Sequence, residues 1–593
     1  MNQSVRDHLL VAAFAALVLL PGLGTTGLWD YDEALWAGTA AEMGRRDNWV
    51  VPFFNGELSI QKPPFMYWTM LAGTSIFGES EFAYRIGSAL FGIAACVVTF
   101  RVGRNIFDRE VGLVAGAALA TATMFVVVAR GATPDSELVF FCTLALHCFM
   151  AAGMGGVGGA SARPVGRLPW WAAMLMYSAM GLAVLTKGPI GILLPMLSIG
   201  IFLLLDGATA PGGRQRGVGA FLGRVLRGVP RATRQLRPVL GITTFAAVVG
   251  PWFWVVQQQT DGAFGAGFLG THNVQRFLQP FEKHHGSILY YLPALLIGFF
   301  PWSMFAIPTV REAVLRIRGA GPAGSGTLLM VVWTMTWIGF FSVAQTKLPN
   351  YILPAFPTVA VLTAAFLVGW ARHNEGGSRF WMRTALGLLS IFGVMAAGIC
   401  WGLPQMSWDG ISLLRRLHLT DTVGDVLRVA SFGGGIMMSG GLVGLLLLFG
   451  DRRKEVVAFY TAMSAAFILF LFNVAALEAD RHQPTRHLLS GIARHGYRDR
   501  PIAQWGYPLP SLVHYSRGRV ESCTNAADAA EFLRRNPRGI VVMATNDSLD
   551  AVPPPPETVV LGEYSAFPEC GRLLVLSARQ TTGSSDRSDR TVR

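Results

Sequence analysis

The sequence predicts an α-helical polytopic membrane protein carrying a small C-terminal α/β soluble domain. Three observations predict it. Of 593 residues, 52% are hydrophobic and only 14% are charged, whereas an average soluble domain is about a quarter charged. Apolar runs approaching the roughly 20 residues that span a hydrocarbon core recur from Leu9 to Leu477. Beyond Leu477 the composition turns polar and stays polar. A cytosolic enzyme is excluded by this balance, and so is a disordered or fibrous chain.

The spans come first in the chain. Apolar runs fall near Leu9–Leu23, Phe82–Phe100, Val111–Ala129, Leu138–Gly153, Trp170–Leu185, Ile190–Leu205 and Val239–Val256. They continue near Ser287–Ile307, Leu328–Ala344, Tyr351–Val368, Trp381–Trp401, Ala430–Phe449 and Val456–Leu477. The expectation is therefore about thirteen helices. The first run lacks a small-x-small cleavage site before Trp29, so it reads as an uncleaved helix. With the N-terminus inside, the even-numbered connections collect Arg101, Arg104 and Arg109, then Arg224 to Arg237, then Arg311, Arg316 and Arg318, and finally Arg452, Arg453 and Lys454. That is the positive-inside pattern. The excess of 49 Lys+Arg over 36 Asp+Glu thus reports topology and contact with membrane lipids, and nucleic acid is not needed to explain it.

The odd-numbered connections then face outward. Two are long, 24–81 and 257–286, and both mix acids, His, aromatics and Pro. An odd span count puts the tail outside as well. The domain expectation is a membrane domain over 1–477, an extracytoplasmic α/β domain over 478–580 and a disordered tail over 581–593. Within the tail, Ala526–Arg535 has helical periodicity, while Gly539–Ala544, Thr558–Leu561 and Leu573–Leu576 read as strands. Cys96, Cys142, Cys148 and Cys400 lie in apolar runs as inert thiols. Cys523 and Cys570, alone in the polar tail, are a candidate disulfide in an oxidising compartment.

The chemistry-bearing residues gather at the outward connections. The first long loop carries Asp30-Tyr31-Asp32-Glu33, Asn55-Gly56 and Gln61-Lys62-Pro63-Pro64. Acids after a membrane helix are often plain interface residues, but the paired prolines restrict the backbone around Lys62 and present it. Arg130 is explained by snorkelling, whereas Asp135 either caps a helix or faces a cavity. Lys187 and Lys347 hold matching positions before Gly188-Pro189 and Leu348-Pro349, where each alone is an ordinary surface anchor. His272 and Arg276 lie in the second long loop, with His284 and His285 beyond, at no spacing typical of a zinc site. Neither a P-loop nor a nucleotide-binding glycine fingerprint is present. Taken together, Asp32, Lys62, Asp135, Lys187, His272, Arg276 and Lys347 fall at one face, where cations can hold a phosphate and a carboxylate can serve as base. Nucleotide sugars are cytoplasmic, so chemistry on the outer side calls for a donor already in the membrane.

In series, Asp32-Glu33, Asn55-Gly56, Lys62-Pro63-Pro64, Ala132-Thr133-Pro134-Asp135, Leu185-Thr186-Lys187-Gly188-Pro189, His272-Asn273 with Arg276-Phe277, and Lys347-Leu348-Pro349 with Tyr351 resemble the ArnT-like glycosyltransferases. These are GT-C enzymes related to the protein O-mannosyltransferases. The resemblance implies a GT-C membrane fold in a bacterial-type inner membrane, with active site and C-terminal domain on the periplasmic side. It further implies a polyprenyl-phosphate-linked sugar as donor and lipid A, a glycan or a protein as acceptor. Carried over residue by residue, Asp32, Glu33 and Asp135 are catalytic, and Lys62 contacts the donor phosphate. Lys187, His272, Arg276, Lys347 and Tyr351 line the donor or acceptor cavity. Two departures stand out. The family's Asp-Glu-x-Arg-Tyr reads Asp32-Glu33-Ala34-Leu35-Trp36, and its Glu-Lys-Pro-Pro reads Gln61-Lys62-Pro63-Pro64. The family glutamate and a histidine can bind zinc, and the neutral Gln61 is a poor replacement, so no metal ligand is assigned and the cofactor stays open. A transporter of lipid-linked sugar and a non-catalytic receptor or scaffold are the alternatives. Transport predicts internal repeats or polar groups across the midplane, which the sequence lacks.

Overall fold

The computed structural model describes residues 2–154, 166–209, 218–275, 286–319, 322–372, 376–405, 421–494, 500–506, 508–517, 520–545, 554–555, 558–565 and 572–579. Two compact units emerge. One comprises Met1–Thr26, Thr39–Met406 and Val423–Glu478; the other comprises Gly27–Gly38, Ser407–Thr422 and Ala479–Arg593.

The first unit is helical. In chain order it begins with α1 (Gln3–Leu19), α2 (Glu33–Arg45, starting in the other unit), α3 (Phe65–Phe77), α4 (Glu81–Ile106), α5 (Arg109–Ala120), α6 (Thr123–Arg130) and α7 (Asp135–Gly153). It continues with α8 (Trp170–Lys187), α9 (Ile190–Thr209), α10 (Val218–Gln235) and α11 (Pro238–Gln259). Among the described residues, eight helices are long and apolar enough to cross a membrane, or up to ten when each of two bent pairs counts as one span. The chain is a multi-pass membrane protein. Three further expected spans are helices too, but α1 and the apolar Ile190–Asp206 part of α9 are short, and α8 is less apolar, opening on a tryptophan pair and closing on Lys187.

The bent pairs show how broken helices survive in lipid. Helices α5 and α6 meet at 63°, and Tyr291–Gly298 meets Trp302–Arg318 at 116°. A break frees backbone groups that hydrocarbon cannot satisfy. Here each break serves the other: Thr123 donates from N and Oγ1 to the Phe300 carbonyl at 3.1 and 2.9 Å, and Trp302 Nε1 donates to Thr121 Oγ1 at 2.9 Å. Small residues let α4 and α5 approach backbone to backbone. A Cβ on Gly112 would stand 2.6 Å from the Phe100 carbonyl oxygen. Buried Arg130 is no snorkelling residue. It donates to the Val18 and Leu19 carbonyls at 3.4 and 3.0 Å, while Arg85 donates to those of Leu23 and Thr26 at 3.0 and 2.8 Å, so two arginines satisfy the C-terminal end of α1 and the turn after it.

The second unit contains a five-stranded sheet in the order β4-β3-β5-β7-β6. Its strands are β3 (Ile502–Trp505), β4 (Val520–Cys523), β5 (Ile540–Thr545), β6 (Thr558–Ser565) and β7 (Arg572–Ala578). Strand β3 runs parallel to β4 and β5, whereas β7 is antiparallel to β5 and β6. The Ala526–Arg535 helix lays Ala529, Phe532 and Leu533 against Trp505, Val541 and Met543 of the sheet. It is started by a reciprocal cap: Asp528 N donates to Asn525 Oδ1 at 2.9 Å, and Thr524 N donates to Asp528 Oδ2 at 2.9 Å. The candidate disulfide falls partly outside the described residues. Cys523 is a free, buried thiol in the apolar core under that helix, and Cys570 lies outside the described residues, as does the expected disordered tail over 581–593.

Candidate functional site

In the first unit, the expected first outer loop is itself structured. A hairpin of β1 (Phe53–Phe54) and β2 (Glu57–Leu58) is turned by Asn55 and Gly56, both with positive φ, 55° and 85°, which is the two-residue turn that Asn-Gly favours. Gly56 N donates to Glu42 Oε1 at 3.1 Å, and Glu42 pairs with Arg46, whose guanidinium sits 4.1 Å over the Phe53 ring. Asn48 Oδ1 accepts from both Val50 N and Val51 N at 3.0 Å. Trp68 Nε1 and Trp252 Nε1 then bind the Trp49 and Val50 carbonyls at 2.7 and 3.1 Å. The chain leaves this anchored region at Ile60, and half-buried Gln61 and Lys62 follow before buried Pro63 and Pro64 open α3.

An apolar cluster draws other connections to the same place. Val51 packs with Val184 and Leu185 from the end of α8, Val256 from the end of α11, and Phe264 and Phe268 beyond it, with Ile60 and Phe65 alongside. A Cβ on Gly267 would stand 2.4 Å from Ile60 Cδ1, so the second connection lies directly on the first. Lys62, Lys187 and half-buried His272, in the π-helical stretch Ala266–Gln275, therefore follow closely on residues of one cluster. Arg276, His284 and His285 lie outside the described residues.

Asp135 begins α7 and is 4% exposed. Its Oδ1 pairs with Lys187 Nζ, its Oδ2 accepts from Asn350 Nδ2 at 3.3 Å, and Lys187 Nζ lies 5.5 Å over the Tyr351 ring. Of the two openings left by sequence, helix cap or cavity, the carboxylate is spent on a buried ion pair joining three connections. Lys347 behaves differently from Lys187, although the local sequences match. Its three protons go to the carbonyls of Phe341, Ser342 and Ala344 at 3.0, 2.6 and 2.6 Å, at the end of the Pro322–Val343 helix. It is a helix C-cap. Burial holds its ammonium below the ordinary lysine range.

Asp32 and Glu33 belong to the second unit, with Asp30. The three acids have three environments. Asp30 accepts from Ser511 N at 2.6 Å and Ser511 Oγ at 2.7 Å. Burial pushes its carboxyl above the usual range, and these two hydrogen bonds oppose that rise. Tyr31 sits in the left-handed region at φ 66°. Asp32 is exposed, while buried Glu33 turns back to accept from Trp29 N at 3.2 Å. Of the three, the Asp32 side chain is the one exposed to solvent.

Sequence reasoning passed over Glu137 and Asn350. Glu137, two residues beyond Asp135, is 1% exposed and receives Ser136 and Thr69 hydroxyls at 3.3 and 3.4 Å. Its only sequence signal is a carboxylate inside an apolar run. For a divalent metal the donor set fits badly: Gln61 offers an amide where a carboxylate is required, and no group of three or more His, Cys, Asp or Glu comes together among the described residues.

Residues 61–216 match the dolichyl-phosphate-mannose-protein mannosyltransferase family. An undecaprenyl phosphate-alpha-4-amino-4-deoxy-L-arabinose arabinosyl transferase of Erwinia tasmaniensis is 28% identical over 402 residues, covering 67% of this chain and 66%, just under two thirds, of that relative. Its counterpart in Enterobacter sp. is 26% identical over 410 residues, covering 68% and 67%. The crystal structure of ArnT from Cupriavidus metallidurans bound to undecaprenyl phosphate superposes with a TM-score of 0.74 at 22% identity, over 97% of this chain and 99% of that one. The chain has the GT-C fold of ArnT. The apo form of the same Cupriavidus protein gives 0.73 at 21% identity, over 98% and 100%. An ArnT-like fold thus extends over the helical unit and the C-terminal sheet alike.

Proposed function

We propose that this protein is an integral-membrane glycosyltransferase that moves a sugar from a polyprenyl phosphate to lipid A, a glycan or a protein on the outer face of the membrane. The observation that carries this reading is the buried Asp135–Lys187 pair, beside Tyr351, in a fold that matches an undecaprenyl-phosphate-bound ArnT over nearly the whole chain. The outer-face assignment rests on the positive-inside pattern of the basic connections.

In this reading Lys62 and Lys187 meet the donor phosphate. Their charge stabilises the negative charge that grows on the phosphate oxygen as its bond to the anomeric carbon breaks. Asp135 holds Lys187 in place. Asp32 accepts the proton of the acceptor hydroxyl as that oxygen bonds to the anomeric carbon. The products are the glycosylated acceptor and free polyprenyl phosphate. Where the acceptor is an already ionised phosphate, Asp32 orients it instead. The transferred group is a hexosyl or pentosyl residue. Leu35, Trp36 and Gln61 replace a cation, a phenol and a glutamate of the family pattern, which argues against assuming the aminoarabinose of the relatives' names. Mass spectrometry of lipid and glycan fractions from a deletion strain tests the proposal. One class of envelope molecule should lose a defined sugar mass and regain it on complementation; unchanged fractions in every class would sink it.

A further inference from the structure

The C-terminal domain contains a piece of chain that sequence order assigns to the first outer loop. Gly27–Gly38 packs as part of the second compact unit, over 440 residues away in sequence from the groups that hold it. Gly27 N donates to Asp480 Oδ1 at 2.7 Å, and Leu28 N donates to the Tyr515 hydroxyl at 2.8 Å. The Leu28 carbonyl accepts from Gln483 Nε2 at 2.8 Å. Asp30 takes two hydrogen bonds from Ser511. Ser511 Oγ also lies 2.5 Å from Thr485 Oγ1. Because the one Ser511 hydroxyl proton goes to the Asp30 carboxylate, Thr485 is the donor in that pair. Ser511, Gln483 and Thr485 are at most 2% exposed, so these bonds form away from competing water, where each is strong and costly to break.

We infer that this domain is a positioning clamp for the Asp32 carboxylate, with Ser511 and Asp30 at its centre. Asp32 is exposed and lies two residues beyond Asp30. Between them Tyr31 adopts a left-handed conformation that a non-glycine residue holds only when its surroundings over-determine it. Fixing Asp30 on one side, and Glu33 to Trp29 N on the other, supplies that constraint. A reacting carboxylate on a loop needs such support, since a displacement of about 1 Å can cost on the order of 100-fold in rate.

The inference rests on the proposed glycosyl transfer for its catalytic half, while the clamp itself is measurable without turnover. Full-length Ser511→Ala and Ser511→Thr in detergent are compared with wild type by hydrogen–deuterium exchange over residues 27–38 and by donor titration of the transfer rate. Ser511→Ala should speed exchange in this segment at least about tenfold and lower kcat at least about tenfold, with the donor KM within about twofold. Ser511→Thr, which keeps the hydroxyl, should restore both. If Ser511→Ala does not fold, Asp30→Asn weakens the same contact from the loop side and should give the same two changes. Unchanged exchange in a folded variant would overturn the clamp, and faster exchange with wild-type kcat would overturn its positioning role. A wild-type chain that transfers no sugar would sink the proposed function instead, and the exchange data would still decide the clamp.

Discussion

Breaking the Asp135–Lys187 pair should cost more stability than any exposed ion pair in this protein. Both side chains are nearly buried, 5% exposed for Asp135 and 8% for Lys187, so water screens the pair little. Removing one partner leaves a charge in a low-dielectric site, a loss of about 3–5 kcal/mol in comparable buried pairs. Asp135→Asn strands the Lys187 ammonium, and Lys187→Met strands the Asp135 carboxylate, which among the described residues keeps the 3.3 Å bond from Asn350. The double variant Asp135→Asn/Lys187→Met removes both charges and should recover much of the loss, giving a coupling of about 2 kcal/mol or more. By contrast, the exposed Arg428–Asp425 pair, 50% and 53% exposed, should contribute less than about 1 kcal/mol. Resistance of the purified protein to unfolding by SDS, followed by tryptophan fluorescence, measures each variant. Single variants as resistant as wild type, or losses that simply add in the double variant, would refute the reasoning.

Other consequences can be checked separately. Asp32→Asn and Lys62→Ala should each lower transfer on the order of 100-fold or more while leaving a folded membrane protein, and Gln61→Ala should be milder; wild-type turnover in both would show that these roles are misassigned. Burial under the Ala526–Arg535 helix pushes the Cys523 thiol up to about 11 from its usual 9.0. The folded state thus holds that proton more tightly, so its contribution is intact below pH 9.0 and fades as pH rises towards about 11; a Cys523→Ala variant with the same decline in stability over that window would contradict it. The exposed position of Arg534 offers a topological test: Arg534→Cys should react with an impermeant maleimide in intact spheroplasts, and protection until lysis would place the C-terminal domain inside.

Much of the helical unit was legible because lipid imposes a simple rule on composition: backbone groups must pair internally, so apolar runs become helices. The Asn55-Gly56 turn and the Ala526–Arg535 helix were equally readable, the one as a turn dipeptide and the other from amphipathic periodicity. What the sequence hid was partnership. Nothing local distinguishes Lys187, paired with a carboxylate 52 residues away, from Lys347, which caps its own preceding helix. Likewise three acids in four residues looked equivalent until distant groups sorted them: Ser511 took Asp30, Trp29 took Glu33, and Asp32 stayed exposed. Helix α3 was missed inside a loop because its 13 residues are too few to read as a span. Strands β3 and β4, four residues each, were too short to show alternation.

The central claim is tested most directly by turnover in a single compartment. Purified full-length protein in detergent is given polyprenyl-phosphate-linked sugars of the pentose and hexose classes, with lipid A, a glycan or a protein as acceptor, and both products are followed by mass spectrometry. The account predicts free polyprenyl phosphate and glycosylated acceptor in equal amounts from at least one donor, with both lost in Asp32→Asn. Intact donor throughout, or equal product from wild type and Asp32→Asn, would contradict it.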